Sequence, residues 1–413
     1  MATGELRGRR YPTDERIRVT WRHGILTDVV VEGIGSDHDP WLLPGLVDLQ
    51  VNGYGGFDVN GPDVAPDSVT GMAAALAAAG TTTFVPTVIT ASDDAIEHSL
   101  RVIARACEAD PEVAASVPWL HVEGPHISPE EGARGAHALD QIRPPSVEAF
   151  DAWQEAAGGR IGMVTICPHH EGAIAYIVAL TRRGVRVSIG HTSATEAEIT
   201  AAVDAGARFS THLGNGVQAM IPRHANPIWP QVADRRLTAG LVVDGHHLPL
   251  AVLASLVRGK GVDHAFAVSD SVALAGMPPG LYEAPVGGMV ELSAEGRLSV
   301  AGTSYLAGAA CALVAGLSVL DHAGISRADA LRLVCTNPGR LVGDRGELEP
   351  GRRADLVLLS PEREVVQVVR GGHRLLSPTT VFKSRSTAPM TAASVPGAKG
   401  AARAKCGNEP TAS

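Results

Sequence analysis

One carboxylate and two imidazoles in this 413-residue chain stand where metal chemistry is done. The apolar run "VPWLHVEG" ends on Glu123, "VRVSIG" leads into His191, and "RFSTHL" carries His212. A carboxylate ending an apolar run faces water, pairs with an arginine or holds a cation, because an unpaired buried charge is prohibitively costly. One oxygen and two imidazole nitrogens match a catalytic zinc site, which commonly keeps three protein ligands and one open position for water. Such a metal lowers the pKa of that water and polarises a carbonyl. The set suits Zn2+, while Fe2+ or another divalent ion is compatible with it. Asp270, in "AVSDSVALAG", also ends an apolar run. It could cap the segment that follows. Beside a metal it could instead take a proton from water and return it to a leaving amine.

Residues so far apart need a frame that gathers strand ends. Eight short apolar runs supply it: "LVDLQV" (46–51), "TTFVPTV" (82–88), "WLHVEG" (119–124), "MVTIC" (163–167), "VRVSIG" (185–190), "RFSTHL" (208–213), "GLVVDG" (240–245) and "AFAVSD" (265–270). Ala-rich helical segments such as "DSVTGMAAALAAAG" and "TEAEITAAVDAG" lie between them. Continuous apolar strands alternating with helices indicate a parallel sheet, and eight such units predict an α/β protein built on a (β/α)8 TIM-type barrel. A doubly wound open sheet is the alternative, but the first strand–helix turn, "VNGYGGFDVN", lacks the glycine pattern of a dinucleotide site. Gln50, Asn52, Glu123, His169, His170, His191, His212, Asp244, His246, His247 and Asp270 all follow strand C-termini, the rim on which barrel active sites are built.

The flanks read differently. "IRVTWRHGILTDVVVEG" (17–33) and "GELEPGRRADLVLLSPEREVVQVVRGGHRLL" (346–376) alternate like strands, and neither can bury a core alone. They are expected to join as one small β-sandwich, giving limits of 1–43 and 344–383 for its halves, 44–343 for the barrel, and 384–413 for a disordered tail rich in Ala, Ser, Pro and Gly. Net charge is −9 and no long basic run interrupts the folded part, which argues against nucleic acid as a partner. No stretch is long and apolar enough to span a membrane, and the N-terminus has no apolar core of a signal peptide. Five scattered cysteines without a CxxC pair lead us to expect a reduced, cytoplasmic protein.

Taken in order, "LPGLVDLQVNG", "HVEGPHIS…GARGAH", "SIGHTSAT", "STHLGNG", "VVDGHH", "AVSDSVALAG", "GRLSVAGT" and the ending "NPGRLVGD…GELEPGRRADLVLL" resemble the N-acetylglucosamine-6-phosphate deacetylases of the amidohydrolase superfamily. The resemblance runs from about residue 17 to 376. It implies a metal-bearing barrel with a split β-sandwich, assembled as a homodimer. Carried over by motif, Glu123, His191 and His212 hold one divalent metal ion and Asp270 is the acid/base. Ala136 and His137 in "GAH", Asn215-Gly216, His247, and Val300, Ala301 and Gly302 would meet the substrate, a small N-acetyl amino sugar. His169 and His170 have no counterpart and are read as surface or supporting residues. Gln50 and Asn52 stand where many amidohydrolases place His-x-His for a second metal; amides are poor ligands beside imidazole, so a single metal is expected.

The chain departs from the family at the phosphate. The family's arginine after "THLxNAM" falls on Ala225 when the segment is aligned on Pro227, leaving Arg223 and His224 as the nearby substitutes. Arginine suits that task because its planar fork matches phosphate oxygens. Three readings follow: an N-acetylglucosamine-6-phosphate deacetylase, a deacetylase of an unphosphorylated or otherwise modified N-acetyl sugar, or a metal-binding barrel without catalysis. Asp270 argues against the last, which has no need of a proton carrier.

Overall fold

The computed structural model describes residues 2–284 and 288–375. Its centre is a parallel eight-stranded sheet of β1 (Leu46–Val51), β2 (Thr81–Ile89), β3 (Leu120–Glu123), β4 (Ile161–Ile166), β5 (Arg186–Ile189), β6 (Phe209–Ser210), β7 (Thr238–Val242) and β8 (Ala265–Val268), paired in chain order. All eight correspond to the apolar runs. Both faces of such strands are covered, so β1 is buried at every position and β2 at all but its last.

The barrel closes just beyond β8 rather than along it. Asp270 N donates to Gln50 O at 3.0 Å, Asn52 N to Ser271 O at 2.9 Å, and Val51 bridges Ser271 in parallel. Side chains from six strands, among them Val47, Val85, Met163, Phe209, Val242 and Phe266, form one apolar cluster that fills the interior. The surrounding helices begin where the sequence signals them. Ser92 Oγ accepts from Ala95 N before Asp93–Ala109, and Thr195 and Glu198 form a reciprocal capping box before Glu196–Asp204.

Both chain ends meet in a second, seven-stranded mixed sheet, the small β-domain expected from the flanks. Its central strand, Trp41–Pro44, runs parallel to Thr3–Arg10 and antiparallel to Leu356–Leu359, with Leu43 opposite Val357. Ile17, Val19, Trp21 and Leu26 pack there against Leu356, Leu358 and Val369, and Trp21 Nε1 donates to Gly372 O at 2.8 Å. The segment 384–413, read as a disordered tail, lies outside the described residues.

One element was not anticipated. Between β8 and the last helices, Gly280–Ala284, Gly288–Leu292, Arg297–Val300 and Leu306–Ala309 form a four-stranded antiparallel sheet. Its last strand returns to the barrel, where Val272 N donates to Ala309 O at 3.0 Å.

A candidate metal-dependent active site

Glu123, His191 and His212 are all buried, and their donor atoms converge. Oε1 of Glu123 lies 2.9 Å from His212 Nε2 and 3.1 Å from His191 Nε2, and the two nitrogens are 3.0 Å apart. His191 Nδ1 lies 2.9 Å from Ala133 O and donates to it, which commits Nε2 to presenting a lone pair. Three acceptors on one buried point, with an imidazole tautomer set from behind, fit a divalent cation. The backbone is strained at three positions that follow strand ends. His191 (φ +46°), His212 (φ +29°) and Asp270 (φ +52°) all have left-handed backbone. Such conformations cost of order 1–3 kcal/mol each and persist at functional sites because the surrounding structure imposes them.

Polar residues at the end of β1 and just after it reach this centre. Gln50 Nε2 donates to Oε2 of Glu123 at 3.0 Å, and Asn52 Nδ2 donates to Oδ1 of Asp270 at 2.9 Å. His137 is buried against the ligands, its Nε2 3.2 Å from His191 Nε2 and its Nδ1 2.7 Å from Thr90 Oγ1. His247 is held through Nδ1 by Asp244 Oδ2 at 2.6 Å, while Asp244 Oδ1 accepts from the backbone N of His246 and His247. Asn215 donates to His212 O from its backbone N at 2.9 Å and from Nδ2 at 3.2 Å. Gly216, with φ +60°, lies against the His191 ring.

Burial works against charge throughout. It would raise Glu123, but the His191 and His212 imidazoles set against it outweigh burial and hold the carboxyl well below its usual range. Burial pushes Asp270 up to about 6, reinforced by the charge of Glu123. It pushes His137 down to about 3, helped by the neighbouring His191, so that ring is neutral. His212 moves the other way: burial would lower it, but the Glu123 carboxylate raises it.

Other expected residues lie elsewhere. Ala136 is exposed beside His137. Arg223 and His224 are exposed on the loop before Ile228–Ala233, and that loop turns Asn226 inward, where its Nδ2 donates to Pro222 O at 2.9 Å. Val300, Ala301 and Gly302 form the outer turn of the four-stranded sheet, with Gly302 exposed. A similar small-residue stretch six residues on, Leu306–Ala309, is the one that runs beside the segment following Asp270. There a Cβ on Gly308 would come 2.8 Å from Val272 Cγ1. His169 Nδ1 meets Cys167 Sγ at 3.1 Å, and His170 Nε2 donates to Ile127 O at 2.7 Å; neither joins the cluster. Sequence reasoning passed over Thr90, which has no distinguishing motif, and the Ala133 carbonyl, which any residue could supply.

Residues 41–375 match the model of the Amidohydrolase family. The chain is 31% identical over 348 residues to the N-acetylglucosamine-6-phosphate deacetylase of Bacillus subtilis (strain 168), covering 82% of this chain and 86% of that one. It is 30% identical over 335 residues to the N-acetylgalactosamine-6-phosphate deacetylase of Escherichia coli O157:H7, covering 79% and 85%. Among solved structures, an aspartate-to-alanine mutant of the Mycobacterium smegmatis N-acetyl-D-glucosamine-6-phosphate deacetylase, in complex with N-acetyl-D-glucosamine-6-phosphate, matches with a TM-score of 0.80 at 28% identity. That match covers 91% of this chain and 100% of the other.

Proposed function

Because the chain belongs to the amidohydrolase family, we propose that it removes the acetyl group from N-acetylglucosamine 6-phosphate, giving glucosamine 6-phosphate and acetate. The observation that carries this is the convergence of Glu123 Oε1, His191 Nε2 and His212 Nε2 on one buried point on the rim that also holds Asp270. These three residues would hold one divalent metal, and zinc is the ion their one-oxygen, two-nitrogen set favours. When bound, the metal supplies Lewis acidity toward the acetyl carbonyl and acidifies water.

Asp270 takes a proton from the attacking water and passes it to the sugar nitrogen as the C–N bond breaks. Burial keeps its pKa near the operating range, so it can do both. Neutral His137, and His247 oriented by Asp244, are the side chains that orient the sugar and its acyl oxygen. Asn215-Gly216 beside the His191 ring and Ala136 beside His137 would meet the substrate, as would either Val300-Ala301-Gly302 from the outer turn of the four-stranded sheet or Leu306–Ala309, which runs beside the segment following Asp270. Arg223 and His224 are the cationic candidates for the phosphate. A cytoplasmic homodimer with the barrel at 44–343 completes the reading. Four described cysteines are free, as in a reducing compartment, and no described helix is long and apolar enough to cross a membrane.

The test is acetate release by the zinc-loaded protein, read as kcat/KM on N-acetylglucosamine 6-phosphate, its unphosphorylated parent and the galacto 6-phosphate. A preference of about 100-fold or more for the first over the second is expected. Equal rates on phosphorylated and free sugar would transfer the assignment to an unphosphorylated substrate, and a preference for the galacto isomer would overturn the choice of sugar.

A further inference from the structure

Strand β1 and the residue that follows it contribute no ligand to the cluster, yet their side-chain amides touch Glu123 and Asp270. Gln50 donates to Oε2 of Glu123 at 3.0 Å, which leaves Oε1 to face His191 and His212. Two residues further on, Asn52 Nδ2 donates to Oδ1 of Asp270 at 2.9 Å. Both acceptors are carboxylates, so each amide must present N–H; turning it over would set oxygen against oxygen. Asn52 is itself fixed. Its backbone N and that of Gly53 both donate to Ser271 O, at 2.9 and 3.0 Å, while Asp270 N donates back to Gln50 O at 3.0 Å. Asp270 is thus tied to β1 through its backbone and through one carboxylate oxygen, in a left-handed conformation it would not choose alone.

We propose that Asn52 is a positioning residue for proton transfer: by occupying Oδ1 of Asp270 it reserves Oδ2 as the oxygen that takes the proton from water and returns it to the leaving amine. The inference rests on the hydrolytic reading above. In the step, an O–H bond of water breaks and its proton goes to Oδ2 while the water oxygen bonds to the acetyl carbon. The C–N bond then breaks, its electron pair stays on nitrogen, and nitrogen takes the proton from Oδ2. Asn52 exchanges no proton. Its N–H serves both states of the carboxyl, because Oδ1 accepts as half of a carboxylate, where the bond is the stronger, and still accepts as the carbonyl oxygen of the acid. Without that bond the carboxyl is free to rotate, and the reacting oxygen loses its registry with the nitrogen it must protonate.

The deciding experiment is Asn52→Leu, of similar size and without a donor, prepared in the zinc-loaded full-length chain. Expected are a kcat about 100-fold below wild type, a KM changed by no more than about threefold, unchanged zinc content, and a crystal structure in which the Asp270 carboxylate has turned from its wild-type orientation. A purely structural role would lower zinc content, or raise KM while kcat falls. The proposal is overturned by a kcat within about threefold of wild type, by an unmoved Asp270 carboxylate, or by zinc loss that accounts for the defect. If the Leu variant does not fold, Asn52→Ser, which shortens the side chain without adding bulk, is read by the same criteria. Failure of wild type to release acetate from any of the three sugars would sink the substrate assignment instead. The orientation of Asp270 in the variant would still decide the role of Asn52.

Discussion

The His191 ring is seated on Gly216. A Cβ at Gly216 would stand 3.0 Å from His191 Nδ1 and 3.2 Å from its Cα, and the φ of +60° there is one that residues with side chains adopt only under strain. A Cβ at Gly135 would come nearly as close, 3.2 Å from Cε1. The two glycines leave the ring room to bond Ala133 O and aim Nε2 at its neighbours. Gly216→Val should therefore weaken zinc binding about 10- to 100-fold, the usual cost of disturbing a ligand's support, and Gly216→Ala should weaken it less. Competition with a chromophoric chelator measures both, and wild-type affinity in the Val variant would refute the packing argument.

Removing a ligand should act on metal content before anything else. His191→Ala, His212→Ala and Glu123→Ala are each expected to lose most of their zinc, measured by elemental analysis after gel filtration. A variant that keeps the wild-type stoichiometry takes its residue out of the ligand set.

Asp270→Asn separates chemistry from metal binding. With the carboxylate gone, turnover should fall by a factor of about 100 to 10,000 while zinc is retained, since general acid–base catalysis contributes on that scale. Full activity in this variant would remove the proton-carrier role.

Asp48 gives the fold a pH dependence of its own. It is fully buried; Oδ1 accepts from Ser269 N at 3.1 Å, while Oδ2 is buried with no partner among the described residues. Burial, only partly offset by the hydrogen bonds to Ser269, raises its pKa from 3.8 to about 7. Between those values the folded chain keeps a proton that the unfolded chain releases. This contribution to stability is whole below about pH 4 and is lost as the pH rises through about 7, at a slope of up to about 1.4 kcal/mol per pH unit. Asp48→Asn keeps Oδ1 and cannot ionise. Thermal melts from pH 5 to 8 should show wild type losing Tm relative to this variant, and parallel curves would contradict the shift.

The barrel was legible because its strands are buried on both faces and read as unbroken apolar runs; β1 is the clearest case. The Gly280–Ala309 sheet was not. Leu281 and Met289 are exposed on it, and its strands are only four or five residues long with few buried side chains, so their alternation is too brief to stand out from a loop. Glu123, His191, His212 and Asp270 stood out as candidates because their types are rare at the ends of apolar runs, and the first three converge in the structure. Gln50 and Asn52 were read only as missing ligands, since a sequence does not reveal that an amide is donating to a carboxylate. The two stretches "VAGT" and "LAGA" are nearly interchangeable as text; only the pairing of Ala309 with Val272 shows which one borders Asp270.

The strand Trp41–Pro44 has a consequence for synthesis. One edge pairs with Thr3–Arg10, which is already made, but the other waits for Leu356–Leu359, roughly 310 residues later. At about 5–20 residues per second a ribosome needs about 15–60 s to deliver that partner. Throughout that time an apolar strand edge, which the finished protein buries completely, is open to any other strand in the cell. Nascent chains stalled inside the barrel should therefore be bound by chaperones at this strand, and release should coincide with emergence of the last sheet residues from the exit tunnel.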